Sequence, residues 1–136
     1  MYIFMRSDLK SLNPGKAMAQ ACHAANMIQT KVESGRVSAT LFKEWRSWMG
    51  YRNFGRTLVL SVDKLTIEAA RKEYSNKGLW VDVIDPTYPI DDGGEIHSVE
   101  CHTCSGLFLA DPPDKLSVWV KDPPNSDLIV DLPLHK

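Results

Sequence analysis

Apolar positions along this chain alternate between short runs and helix-spaced stripes. Tyr2-Ile3-Phe4-Met5 is an apolar run short enough to be a buried strand, predicted over residues 2–6. Ser7 to Pro14 is rich in turn formers, and Asn13-Pro14 reads as a helix start, with Asn as N-cap and Pro at the first helical position. A helix is predicted from about Gly15 to Val32, where Glu33-Ser34-Gly35 stops it. A second covers Ser38 to Met49, with Leu41, Trp45 and Trp48 forming one stripe at i, i+4 and i+7 before Gly50 ends it. Thr57 to Val62, rich in β-branched residues, gives a second strand. Leu65 to Asn76 gives a third helix, and Leu79 to Ile84 a third strand. Asp85 to about Glu100 is polar, holds Pro86, Pro89 and Gly93-Gly94, and reads as a loop. His102 to Ala110 reads as a fourth strand. In the tail, Asp114 to Val120 is predicted as a short helix opened by Pro112-Pro113, and Leu128 to Leu134 as an edge strand.

That alternation implies an α/β fold. The expectation is a single layered domain over residues 1–136, with a mixed, mostly parallel sheet of four to five strands and helices on both faces. Ligands of such sheets bind beyond the carboxyl ends of the strands, here loops 7–14 and 85–100. The polar residues of the first helix lie beside one of those loops. On a period of 3.6, Lys16, Gln20, His23 and Met27 share one face, while Ala17, Ala21, Ala24 and Ile28 share another. The small residues suit close packing on a sheet, and the polar row is not needed for it. A helix start is also an anion site, and Lys16 in the first turn opposes the macrodipole unless a phosphate lies beside it. The alternative is a solvated face with an ordinary surface lysine.

Composition narrows the class. A chain of 136 residues can bury a core without disulfides or a structural metal. The 43% hydrophobic and 24% charged content is that of a soluble globular protein. No apolar run approaches the roughly 20 residues of a membrane span. The N-terminal run meets Arg6, Asp8 and Lys10 at once, unlike a secretory leader. Cys22, Cys101 and Cys104 are odd in number, which suits a reducing compartment, and a cytoplasmic location is expected. The net charge of −1 hides an asymmetry: ten Lys/Arg against five Asp/Glu (+5) in residues 1–68, and six against twelve (−6) in residues 69–136. A basic first half suits a phosphate-bearing partner, unless the two halves interleave in space.

Two further patterns carry less. Cys101-His102-Thr103-Cys104 lacks the second ligand pair of a structural zinc site, and residues i and i+3 of a strand point to opposite faces. The zinc-deaminase pattern is absent too, since Glu95-Ile96-His97 runs in the reverse order. No metal is expected. Phe42 to Arg56 interleaves aromatics with basic residues, as RNA-binding surfaces do. Trp45 and Trp48 are expected in the core, leaving Arg46, Arg52 and Arg56, around Tyr51 and Phe54, as RNA-backbone contacts or as a plain solvated rim.

Arg6-Ser7-Asp8-Leu9-Lys10, then Gly15-Lys16, then Ala19-Gln20-Ala21-Cys22-His23-Ala24-Ala25 resembles the opening of type-2 peptidyl-tRNA hydrolases, R-x-D-L-x-M-x-x-G-K-x-A-A-Q-x-x-H-A. The chain departs from it at Ser11-Leu12, by one extra residue before Gly15, and at Met18. Phe42-Lys43-Glu44-Trp45, the glycine region at 50–55, strand 57–62 and Val83-Ile84-Asp85 are similar to later family segments. The resemblance covers residues 2 to about 110 and leaves 111–136 as a poorly matched tail. After Asp85 the family pattern D-A-G-x-T is replaced by Asp85-Pro86-Thr87-Tyr88-Pro89, where Thr87 and Thr103 stand in for the family's two threonines.

The resemblance implies hydrolysis of the ester joining a peptide to the tRNA 3′ ribose, without a cofactor, by a cytoplasmic homodimer. Such chemistry needs an activated water, an oxyanion stabiliser and cations for nearby phosphates. The implied catalytic set is Lys16, His23, Asp85, Thr87 and Thr103, with Asn13, Gly15, Gln20, Arg46, Arg52 and Arg56 binding substrate. Asp85 or His23 is the base. Two other functions compete. A catalytically inactive relative would hold a nucleotide or other phosphate ligand at the same helix N-terminus, as the acidic Asp91, Asp92 and Glu95 suggest, in a closed pocket. A protein-interaction module would show an apolar patch and no polar convergence.

Overall fold

A computed structural model describes residues 1–51, 55–112, 116–122 and 126–132, with side chains up to Leu116. Its elements are β1 (Tyr2–Arg6), α1 (Pro14–Glu33), α2 (Ala39–Gly50), β2 (Leu58–Val62), α3 (Lys64–Tyr74), β3 (Leu79–Asp92), β4 (Glu95–Phe108), β5 (Leu116–Asp122) and β6 (Ser126–Leu132). Side-chain oxygens start all three helices among the described residues. Asn13 caps α1, Ser38 caps α2 and Asp63 caps α3, each accepting a backbone N–H three residues on.

Period-two alternation in β1 builds a core on each side of one sheet. Tyr2 and Phe4 pack with Leu60, Val62 and Trp80 against Ile67, Ala70 and Tyr74 of α3. Ile3 and Met5 face the other way, with Val81, Val83 and Phe108, against Ala24, Ile28 and Val32 of α1 and Trp45 of α2. Phe4 is completely buried and stacks on Trp80 at 5.3 Å between ring centroids. Burying such a side chain contributes roughly 1.5–3 kcal/mol. Gly106 of β4 lies under α1, where a Cβ would stand 2.9 Å from Ile28 Cδ1 and 3.4 Å from Ala24 Cβ. The small residues of α1 and this glycine together set how closely helix and sheet approach. No helix among the described residues is long and apolar enough to cross a membrane.

The mixed four-stranded sheet and the helices on both faces stand as expected, but the sheet is not mostly parallel. The strand order is β2-β1-β4-β3, with β1 and β2 parallel and the other two pairs antiparallel. Gly93-Gly94 is the cause: with φ of 67° and 99° it makes a two-residue hairpin turn, so β3 must return antiparallel as β4. The expected loop at 85–100 is accordingly strand almost throughout. Its polar side chains misled because residues 90–98 at its tip are exposed on both faces and Tyr88 is its one fully buried side chain, which removes the apolar alternation that marks a strand. The helix expected at 114–120 is also overturned. Residues 116–120 belong to β5, which pairs with β6 in a separate two-stranded sheet, and the apolar alternation of Leu116, Val118 and Val120, two of them β-branched, favours that outcome. The buried side chain of Leu116 joins the core on the α3 side.

Candidate active site

Two irregularities in the β3–β4 ladder flank Asp85 and shape the site. The pairing passes from Val83↔Cys104 to Ile84↔His102, so Thr103 is the extra residue of a bulge. Its fully buried side chain meets α1, where Oγ1 donates to Gln20 Oε1 at 2.8 Å. The second irregularity lies between Asp85 and Tyr88, where Pro86, lacking an N–H, and Thr87 drop out of register. Thr87 turns back instead, donating its backbone N–H to Asp85 Oδ1 at 2.9 Å, with its hydroxyl at 3.4 Å from the same atom.

Gln20 joins these two places. It is 6% exposed and lies in the row Gln20, Ala24, Ile28, Val32 that α1 buries, not in a solvated polar row. Its Nε2 donates to Asp85 Oδ2 at 3.0 Å while its Oε1 accepts from Thr103. An ionised Asp85 only accepts, and the Thr103 hydroxyl has its proton free to give, so the amide has one satisfactory orientation. The Cys104 thiol also donates to the Gln20 carbonyl, at 3.3 Å. The result is a chain Thr103–Gln20–Asp85–Thr87 running from the core to the surface. Each Asp85 oxygen has one strong donor and keeps further acceptor capacity.

Beyond Asp85 lies an open cleft of about 710 Å³, walled by Gln20, His23, Asn26, Met27, Thr30 and Lys31 of α1 and by residues 82–86 of β3. His23 is exposed on that wall. Lys16 is placed from another direction: its backbone N–H is capped by Asn13 Oδ1 at 2.9 Å, and its ammonium lies 5.4 Å from the Tyr88 ring centroid. Tyr88 is 1% exposed, and its hydroxyl is buried with no partner among the described residues. Gly15 is exposed in the first turn of α1.

Arg6 fixes the loop that leads from β1 into α1. Its guanidinium makes a two-pronged contact with Asp8 at 2.6 and 2.7 Å and donates to the His102 carbonyl at 3.0 Å. Arg6 beside it holds the Asp8 carboxyl below its ordinary range. On the α3 side of the sheet, Asp82 accepts from Trp80 Nε1 at 2.7 Å, from Ser105 Oγ at 2.8 Å and from Arg71 at 3.1 Å. His102 Nε2 lies 2.9 Å from Ser105 Oγ, and burial pushes its pKa down. Burial pushes the Cys104 thiol up to about 12.

Of the residues singled out from sequence, Gln20, Asp85, Thr87 and Thr103 meet directly, and His23 shares their cleft. Asn13 and Lys16 stand at the start of the same helix. Arg46 is exposed on α2. Arg56 lines a different cleft, with Trp48 and Tyr51, and its carbonyl accepts from the Met1 ammonium. Arg52 lies outside the described residues. Trp45 is buried and Trp48 packs on the same core, as expected. Arg6 and Asp8, which the sequence reading quotes only as part of the family motif, and Tyr88, which it does not count among the site residues, are structural parts of the site. Arg-x-Asp at a strand end was a usable signal, since i and i+2 share a face. Tyr88 had none, because its segment reads as loop.

A family model described as Peptidyl-tRNA hydrolase PTH2 matches residues 1–112. No curated protein matches the chain.

Proposed function

The chain belongs to the peptidyl-tRNA hydrolase family PTH2, and from that premise we propose that it cleaves the ester of peptidyl-tRNA, releasing the peptide and free tRNA. The observation that carries this is the hydrogen-bonded chain Thr103–Gln20–Asp85–Thr87, which fixes one carboxylate at the head of an open cleft. Asp85 orients the attacking water and receives its proton, because its two oxygens are held by Gln20 and Thr87 while acceptor sites stay free. Lys16 and the first turn of α1 balance the charge that develops on the ester oxygen and the neighbouring phosphate. His23, on the cleft wall, serves the leaving ribose oxygen as proton donor. Thr103 acts through Gln20, and Thr87 holds Asp85 directly. Arg46, Arg52 and Arg56 belong to the tRNA-backbone footprint, and Asn13 and Gly15 present the helix start. On this reading the enzyme works in the cytoplasm, as a homodimer, as the family resemblance implies.

The test is cleavage of an N-acylaminoacyl-tRNA by the purified protein and its Asp85→Asn, His23→Ala and Lys16→Ala variants. Loss of a positioned base lowers turnover by about 10²–10⁴-fold, which is the fall expected for Asp85→Asn. Arg46→Ala and Arg56→Ala should raise KM and leave kcat nearly unchanged, with an effect that fades at high salt. A folded wild-type protein that cleaves nothing would refute the proposal. That outcome would favour a relative that only holds a nucleotide or another phosphate ligand, a reading to which the acidic side chains Asp91, Asp92 and Glu95 around the hairpin turn give some support.

A further inference from the structure

The cleft that leads away from Asp85 has an unpaired strand for one wall. β3 ends the sheet order and pairs only with β4 among the described residues. An edge strand presents alternate N–H and C=O groups outward, ready to pair with another extended chain. Along residues 82–86 that edge borders the cleft, whose facing wall is α1 from Gln20 to Lys31. At the far end Lys31 Nζ reaches over to the Trp80 carbonyl at 3.1 Å. Short of that cap, from Asp85 back to Asp82 is about 10 Å of strand at roughly 3.3 Å per residue, room for about three residues of extended peptide.

We propose that the outer edge of β3 binds the peptide arm of the substrate as an added strand. The inference rests on the hydrolase reading: the ester to be cut sits at Asp85, and the cleft along β3 begins there. The match is chemical as well as geometric. Peptides attached to tRNA share a backbone and no fixed side chains, and strand addition recognises main-chain groups. The cleft offers Met27 and Ile84, 37% and 48% exposed, as adaptable apolar contacts along an open wall. An acyl group too short to pair would lose this binding and keep the chemistry at Asp85.

Two measurements test this. The first compares KM and kcat for acetyl-aminoacyl-tRNA, a tripeptidyl-tRNA and the same tripeptidyl-tRNA N-methylated at the amides that would face β3. Two added main-chain hydrogen bonds should lower KM about tenfold for the tripeptide, and N-methylation should restore the higher value with kcat little changed. The second titrates acetyl-Val-Lys-Val-amide and its N-methylated form into ¹⁵N-labelled protein. Amide shifts should concentrate on residues 82–86 for the first peptide only. Cleavage that ignores both peptide length and N-methylation would overturn the proposal while leaving the hydrolase intact. Absence of any cleavage would sink the hydrolase reading. The titration would then decide the edge by itself, and equal or absent shifts for the two peptides would refute it.

Discussion

Replacing Gln20 by methionine tests the central joint of the site. The substitution keeps the length of the side chain and removes both of its polar contacts. Thr103, fully buried, loses its acceptor at 2.8 Å but has the Val83 carbonyl at 3.3 Å as a fallback, so its loss is about 1 kcal/mol. Asp85 loses a donor at 3.0 Å, and because it is half-buried and keeps the Thr87 N–H, this loss lies near the low end for a charged partner, about 1.5 kcal/mol. The sum is about 2.5 kcal/mol. With an unfolding entropy of about 2.1 cal/mol/K per residue over 136 residues, Tm should fall by about 9 °C. Guanidinium unfolding followed by circular dichroism reads the same change as a lower midpoint at constant m. Thr103→Val removes the shared bond from its other end. The double variant should therefore cost about 1 kcal/mol less than the sum of the singles. A Gln20→Met protein within about 0.5 kcal/mol of wild type, or strictly additive singles, would show that the chain of hydrogen bonds carries no energetic coupling.

Gly106→Ala should destabilise the protein by about 1–3 kcal/mol, because its Cβ would fall 2.9 Å from Ile28 Cδ1 and 3.0 Å from Val81 Cγ2. Adding Ile28→Val removes the offending methyl, and failure of that change to recover any stability would refute the steric account. Burial holds His102 below its ordinary 6.5, with Arg6 of β1 and Arg71 of α3 adding to the depression and Asp82 of β3 opposing it. The unfolded chain then binds the extra proton, so this stabilisation is present above pH 6.5 and is lost as pH falls through the folded value. Unfolding free energies between pH 7 and 5 should decline in wild type and flatten in His102→Gln; equal slopes would contradict the assignment. Among the thiols, exposed Cys22 should react first with a disulfide reagent, and Cys104, pushed up to about 12, only on unfolding. A fast phase that survives Cys22→Ser would overturn that order.

Local chemistry was enough to determine much of this protein from sequence. Asn13-Pro14 marked a helix start because a cap is a bond between residues three apart, and the apolar run Tyr2 to Met5 marked a buried strand because so short a run is complete within five residues. The spacing of Gly15-Lys16, Gln20 and His23 pointed to one working helix, since helical periodicity needs no partner to be read. Partnership was the part that required tertiary structure. Gln20 looked like a member of a solvated polar row, yet α1 is rolled onto the sheet so that Gln20 is buried with Ala24 and Ile28, and its use is to join Thr103 and Asp85 across 83 and 65 residues of chain. The 85–100 segment looked like a loop because strand patterning reports burial, and a hairpin whose tip is exposed on both faces, with Tyr88 alone fully buried, has almost none to report. Which way β4 runs beside β1, where the ladder slips to aim Thr103 inward, and what the ring of Tyr88 does for Lys16 all depend on contacts between distant segments. No local preference encodes such contacts, because their free energy exists only after the segments have met.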